Sequence, residues 1–241
     1  MRLYSELAPW FHLLTAPAEY EEEARFSAAL IREALPDART LLELGSGGGN
    51  NASWLKREFA CTLTDISPAM LALSRTINPE LEHIEGDMRT MRLDRTFDAV
   101  FVHDAVMYMD SEDDLGAAIE TAFVHLRPGG VAIFTPDCIA ETFAEGTDMG
   151  GHDGPDGRGL RYLEWTYDTD PGDNVFEVDF AILLREPGKA LRVEHDHHRY
   201  ALFTRATWER LFAKAGFEQL RYTVPDPYEG QHVVFVVRRP A

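Results

Sequence analysis

Glycines at alternate positions and acidic side chains at the ends of apolar runs are the residues here with the spacing to do chemistry together. Thr40-Leu41-Leu42-Glu43-Leu44 is a short apolar run that leads into Gly45-Ser46-Gly47-Gly48-Gly49, after which helical spacing resumes from Asn50 to Phe59. Glycine at 45, 47 and 49 lets the backbone approach a ligand where a Cβ would collide, although a purely structural strand-to-helix turn would explain the glycines alone. Asp65 closes a second apolar run about twenty residues after Glu43, the place where an acidic side chain can accept both hydroxyl hydrogens of a ribose. The pyrophosphate fingerprint of dinucleotide enzymes fails, because its third glycine position is occupied by Asn50. His103-Asp104 follows a fourth apolar run and Asp137 a fifth, and strand ends are where open α/β sheets bind ligands.

The elements that must position these groups alternate. Glu19 to Leu35 carries apolar residues at helical spacing and stops at Pro36-Asp37, and Ser67-Pro68 caps a helix reaching about Ile77. Runs at Thr40–Leu44, Cys61–Ile66, Leu81–Glu85, Phe97–His103 and Val131–Thr135 read as strands, with a helix from about Asp113 to Leu126 before the last of them. Strands separated by helices imply parallel pairing with right-handed crossovers, hence a doubly wound α/β sheet. After Pro136 the rhythm changes. A Gly- and Asp-rich loop spans 146–159, and Arg161–Tyr167, Val175–Leu184 and Leu191–Phe203 alternate around DPGDN and EPGK, which predicts an antiparallel meander of three strands. Thr204 to Ala215 is helical and capped by Gly216, and Gln219–Val224 with His232–Arg238 forms a last antiparallel pair in the main sheet.

Composition narrows the partners. Among 241 residues, 41 acidic against 23 basic side chains give a net charge of −18. That balance opposes nucleic acid and anionic membrane as partners, since both draw affinity from Lys and Arg. No apolar run approaches the roughly 20 residues of a membrane span. The opening MRLYSELAPWFHLL is interrupted by Glu6, Pro9 and His12, so export by a signal peptide is not expected. Two cysteines, Cys61 and Cys138, provide no disulfide framework and fit a reducing cytoplasm.

The run E-x-G-x-G-x-G resembles the first motif of the class I S-adenosylmethionine-dependent methyltransferases, and Asp65, Gly86-Asp87-Met88, Phe97-Asp98-Ala99-Val100 and Leu126-Arg127-Pro128-Gly129-Gly130 follow in that family's order. The resemblance covers residues 40–136 and implies a Rossmann-like, mostly parallel seven-stranded sheet with an antiparallel meander inserted after the fifth strand. It implies S-adenosylmethionine as cofactor and S-adenosylhomocysteine as product. Glu43, Gly45, Ser46, Gly47, Asp65, Ile66, Met70, Asp87, Met88 and His103 would then bind the cofactor, with Ile66 and Met70 on the adenine and Asp87 and Met88 at its edge. Leu7-Ala8 to Tyr20-Glu21 is similar to the LAxxYDxL…DYxxE stretch of small-molecule methyltransferases, the amino-sugar N,N-dimethyltransferases among them. Phe11-His12 stands where those relatives show Tyr-Asp, so a substrate-facing hydroxyl is missing and the sugar substrate is not carried over.

From these readings the chain divides into an N-terminal helical cap (1–37), a cofactor-binding core (38–137), a loop and meander acting as substrate lid (138–203) and a C-terminal helix with two core strands (204–241). The expected function is methyl transfer to nitrogen or oxygen of a small molecule. The competing readings are a sensor and a protein using the sulfonium for intramolecular displacement. His103, Asp104 and Tyr108 are the candidate catalytic residues, Tyr108 either closing over the methyl group or packing in the core. Tyr4 is expected over the cofactor. Trp10, Asp137, His152 and His197 are expected at the acceptor, with packing as the alternative for Trp10 and capping of a helix near Ile139 for Asp137. No metal is expected at His195-x-His197-His198, because a strand puts His195 and His197 on one face and His198 on the other. The exposed edge of the meander offers a surface for a homodimer.

Overall fold

The computed structural model describes residues 1–223 and 233–241. Its first segment carries a short helix α1 (Phe11–Leu14) and then α2 (Glu21–Ala34), whose buried face of Ala24, Ala28, Leu30 and Ile31 packs on the sheet. The chain continues through β1 (Thr40–Leu44), α3 (Ala52–Leu55), β2 (Ala60–Asp65), α4 (Pro68–Ile77), β3 (Glu82–Glu85), β4 (Phe97–Val102), α5 (Glu112–His125) and β5 (Leu126–Phe134). After the inserted strands come α6 (Arg205–Ala215), β10 (Glu218–Thr223) and β11 (Val234–Arg238).

The main sheet has the order β10-β11-β5-β4-β1-β2-β3, with β11 antiparallel to its neighbours and the other pairs parallel. This is the doubly wound, Rossmann-like arrangement. Successive strand residues face opposite sides, so Leu41, Phe101 and Ile133 join Ile31 and Leu55 on one face. Leu42, Leu44, Val100, Val102 and Phe134 join Leu115, Ile119 and Phe212 on the other. The direction of the strand order reverses between β1 and β4, and the crevice outside the carboxyl ends of those strands is where a ligand fits.

The insertion is a second sheet of four antiparallel strands: β6 (Gly146–Gly150), β7 (Gly159–Tyr167), β8 (Val175–Arg185) and β9 (Arg192–Ala201). The inner side chains of β8, Phe176, Val178, Phe180, Ile182 and Leu184, pack against Leu3, Leu7 and Trp10. The N-terminal segment is thereby clamped between the meander and the main sheet.

Several expectations are corrected. Gly146–Gly150 is a strand paired with Tyr162–Thr166 rather than part of a loop, because backbone pairing at an exposed edge does not need apolar side chains. The helix over Asn50–Phe59 contracts to Ala52–Leu55, and Glu19–Leu35 begins with a 3-10 turn over Pro17–Tyr20. No helix joins β3 to β4, where Met88 and Met91 plug the core instead. None starts near Ile139 either, where the chain makes a turn, so Asp137 is not a cap. Val224 and His232, expected in the last strand pair, lie outside the described residues.

Asp98 fixes the start of β1. Its Oδ2 accepts from the Arg39 and Thr40 N–H groups at 2.8 and 3.0 Å and from the Thr40 hydroxyl at 3.0 Å, while Oδ1 accepts from Arg127 Nε at 2.6 Å. Burial would raise this carboxyl, but the Arg127 guanidinium and the three other donors outweigh it and hold it at about 2. A depressed folded value stabilises above the ordinary value and is lost as pH falls through the folded one. Asp98→Ala is therefore expected to lose about 2–3 kcal/mol in urea unfolding at neutral pH. The gap from wild type should close as pH falls from about 4 towards 2. A gap constant over that interval would trace the effect to packing rather than to charge.

Candidate active site

A cavity of about 760 Å³ opens at the carboxyl ends of β1 and β4, between the main sheet and the N-terminal segment. Its floor is the turn after β1. Gly45 and Ser46 donate their N–H groups to Thr64 O at 2.9 and 2.8 Å, and Gly47 donates to Asp65 Oδ2 at 2.8 Å. Asp65 Oδ1 accepts from Ser67 N–H, also at 2.8 Å. Each carboxylate oxygen keeps a second lone pair for a ligand. Gly45 has φ +74, and a Cβ there would lie 2.3 Å from the Ala105 methyl, so only glycine fits. His12 Nε2 lies 3.0 Å from Gly48 O and ties α1 to the same turn.

One end of the cavity holds a chain of charges. His103 Nε2 lies 2.6 Å from Glu23 Oε1 and Nδ1 lies 3.0 Å from Asp104 Oδ2. Burial opposes a charge on this ring, but Asp104 and Glu23 together raise its pKa well above the ordinary value, so it is an imidazolium at neutral pH. Glu43 is 2% exposed, and its Oε2 is buried with no hydrogen-bond partner among the described residues. Burial pushes this carboxyl up to about 8, opposed by His103 and reinforced by Glu23 and Asp65. Asp137 faces the cavity while protein surrounds it on its other sides. Desolvation by the surrounding protein and the neighbouring Asp104 raise its pKa above the ordinary carboxylate range. Asp87 is fixed by Arg89, whose Nη2 and Nε reach Oδ2 and Oδ1 at 2.6 and 3.0 Å.

A further wall is phenolic. Tyr108 Oη lies 2.8 Å from Tyr4 Oη and 2.9 Å from Tyr200 Oη, and all three side chains line the cavity. Burial raises each hydroxyl's pKa, so the three remain neutral phenols.

The structure gathers Tyr4, Glu43, Gly45, Ser46, Gly47, Asp65, Ile66, Asp87, Met88, His103, Asp104, Tyr108 and Asp137 around one cavity. Four expected contacts are corrected. Met70 is fully buried beneath the glycine turn, on the apolar face of α4. Trp10 packs with Leu3, Leu7 and the inner side chains of β8, under the Arg158 guanidinium. His152 Nε2 lies 3.1 Å from Glu19 Oε1 on the flank of the molecule. His197 is on the outer face of the meander, where it and His195 share Asp179 Oδ1 at 3.1 and 2.7 Å. Residues the sequence reading passed over also line the cavity: Tyr20, Asn51, Arg199 and Tyr200. Alternation along β9 was the available signal for Tyr200, since it puts Asp196, His198 and Tyr200 on the face opposite His195 and His197.

Comparison with known proteins agrees with this geometry. A methyltransferase-domain family model matches residues 41–130. The chain is 33% identical over 200 residues to the dTDP-3-amino-3,4,6-trideoxy-alpha-D-glucopyranose N,N-dimethyltransferase of Streptomyces venezuelae, covering 82% of this chain and 83% of the relative. It is 30% identical, over 82% of this chain and 77% of the relative, to the dTDP-3-amino-3,6-dideoxy-alpha-D-glucopyranose N,N-dimethyltransferase of Streptomyces fradiae. The crystal structure of Streptomyces venezuelae DesVI superposes with a TM-score of 0.84 at 29% identity, covering 99% of this chain and 98% of that one. S-adenosylmethionine-bound CalS10, an amino pentose methyltransferase from Micromonospora echinaspora, superposes with a TM-score of 0.77 at 30% identity, over 91% of each chain. A turn cleared of side chains, an acidic group at the end of β2 and extended identity to these enzymes place the chain in the S-adenosylmethionine-dependent methyltransferases, among the relatives of the amino-sugar N,N-dimethyltransferases.

Proposed function

We propose that this enzyme moves the methyl group of S-adenosylmethionine to the amine nitrogen of a small-molecule acceptor, of the amino-sugar class on which its named relatives act. The observation that carries the choice of nitrogen is the acidic wall formed by Asp104 and Asp137 in the cavity that holds the glycine turn. A pair of carboxyl groups there attracts an ammonium and opposes the alkoxide that a hydroxyl nucleophile would become.

The cofactor suits the residues present. The clearance at Gly45 admits a ligand against the backbone, and the buried, unpartnered Glu43 Oε2 awaits a donor such as an ammonium. Asp65 would take the ribose hydroxyls on its second lone pairs, Ile66 would cover the adenine, and Asp87 and Met88 would meet its edge. Glu43 and His103 would face the amino and carboxylate groups of the methionine part, with Tyr4 closing over them. When bound, S-adenosylmethionine supplies a methyl group already activated by its sulfonium. The protein's task is then to align and to manage protons, and alignment alone can contribute about 7–11 kcal/mol. His103, already protonated and bracketed by two carboxylates, supplies charge rather than a base. A proton shared between Asp104 and Asp137 would limit the negative field, which would otherwise favour the sulfonium ground state over the transition state.

Isothermal titration should detect S-adenosylhomocysteine on wild type, and Asp65→Ala should weaken it by about tenfold or more, the worth of charge-assisted hydrogen bonds. No binding to folded wild type would sink the assignment of the site. With methyl-labelled cofactor, dTDP-3-amino-3,4,6-trideoxy-alpha-D-glucopyranose and a panel of amino sugars should yield labelled N-methyl product, while hydroxyl analogues should not. Release of methylthioadenosine without a labelled acceptor would favour intramolecular displacement. Asp104→Asn should lower kcat/KM for the amine by about tenfold or more through loss of the pair's charge. Asp137→Asn, at the carboxyl whose pKa is raised, should act more mildly.

A further inference from the structure

Behind the phenolic wall lies a histidine that the assignment above does not use. Asp196, His198 and Tyr200 share the inner face of β9. Asp196 Oδ2 accepts from Leu3 N–H at 2.6 Å and lies 3.1 Å from His198 Nε2. A carboxylate can only accept, so the ring hydrogen belongs on Nε2, and in the neutral ring Nδ1 is left bare. That nitrogen lies 2.7 Å from Tyr108 Oη and 3.1 Å from Tyr200 Oη. His198 itself is 1% exposed, so the cavity reaches it only through the tyrosine hydroxyls.

We propose that His198 receives the proton of the acceptor's ammonium through the hydroxyl of Tyr108 or Tyr200, with Asp196 fixing the tautomer that leaves Nδ1 open. This rests on the reading of the acceptor as an amine. An N–H bond of the ammonium breaks and its electron pair stays on nitrogen, giving the free amine that methyl transfer requires. The departing proton joins a tyrosine oxygen as that hydroxyl's own proton forms the Nδ1–H bond of His198. After turnover it returns to solvent by the same hydroxyls, so one proton is released per methyl transferred. His198 never touches the acceptor and acts by positioning and holding that proton.

The surroundings keep this ring neutral, which leaves the Nδ1 lone pair open. Burial lowers its pKa, Asp196 raises it, and the N-terminal ammonium and His197 lower it, with a net downward shift to a neutral imidazole. Tyr4, Tyr108 and Tyr200 face it as neutral phenols, and Phe180 of β8 covers it without charge. Asp196 stays ionised: burial opposes its charge, but the Leu3 and Arg2 N–H groups and His198 hold its pKa down. His103 is already protonated, so it cannot take this role.

The test compares wild type, His198→Gln and His198→Phe on the dTDP-3-amino sugar and on its alkoxyamine analogue, which is unprotonated at neutral pH. At pH 7 the variants should lose about a hundredfold in kcat on the amine, the scale of general-base assistance. KM for the amine, affinity for S-adenosylhomocysteine and turnover of the alkoxyamine should stay close to wild type. Raising the pH towards the amine's own pKa should restore the variants. An equal loss on both acceptors, or an unchanged pH profile, would overturn the proposal as a structural effect. Should wild type methylate neither acceptor, the amine reading fails by itself, and nitrogen-edited NMR of His198 decides the rest. A neutral ring with Nε2–H at pH 7 is expected, and an Nδ1–H tautomer or an imidazolium would exclude a proton acceptor there.

Discussion

The donation of three consecutive backbone N–H groups, from Gly45, Ser46 and Gly47, to the end of β2 is the interaction on which the rest of this structure depends. It bends the chain back as β1 ends and holds the turn open against the side chain of Ala105. Because β1 and β4 diverge in connectivity at this point, the bend lies over the crevice that a doubly wound sheet leaves at its carboxyl edge. Asp65 takes part in that restraint and faces the cavity as well, so one side chain both builds the turn and presents lone pairs beside it.

Two histidines show how neighbours, rather than residue type, set charge. Both are buried, and burial alone would make both neutral. His103 lies between Glu23 and Asp104 and is driven to the imidazolium. His198 has one carboxylate on Nε2 and phenols on Nδ1, with the N-terminal ammonium near by, and remains neutral. The net charge of −18 therefore divides into a small set of carboxylates whose states are tuned around one cavity and a larger set on the surface, paired there with arginines such as Arg161, Arg185 and Arg205.

The parts of the site legible in the sequence are those tied to strand ends. Glu43, Asp65, Asp87, His103 and Asp137 each lie at or just past the end of a strand, and a parallel sheet delivers the ends of its strands to one edge. Residues placed by packing were less legible. The family resemblance put Met70 on the adenine, yet its apolar side chain is fully buried under the turn. His152 and His197 were grouped by residue type, and their nearest carboxylates, Glu19 and Asp179, hold them away from the cavity. Gly146–Gly150 lacked any apolar pattern because an edge strand is held by its backbone alone.

What the sequence determined by itself was local and periodic: the strands and helices that carry an apolar pattern, where the glycine turn falls, and the alternation that separates His195 and His197 from His198. Those follow from the intrinsic geometry of helix and strand, which needs no knowledge of distant residues. Only the tertiary structure decided that the N-terminal segment, β9 and the end of β4 meet, bringing Tyr4, Tyr200 and His198 within hydrogen-bond reach of Tyr108 across 104, 92 and 90 positions of chain, and Leu3 to Asp196 across 193. The charge states of His103, Glu43 and Asp137 were likewise settled there, because each depends on burial and on carboxylates supplied by other elements.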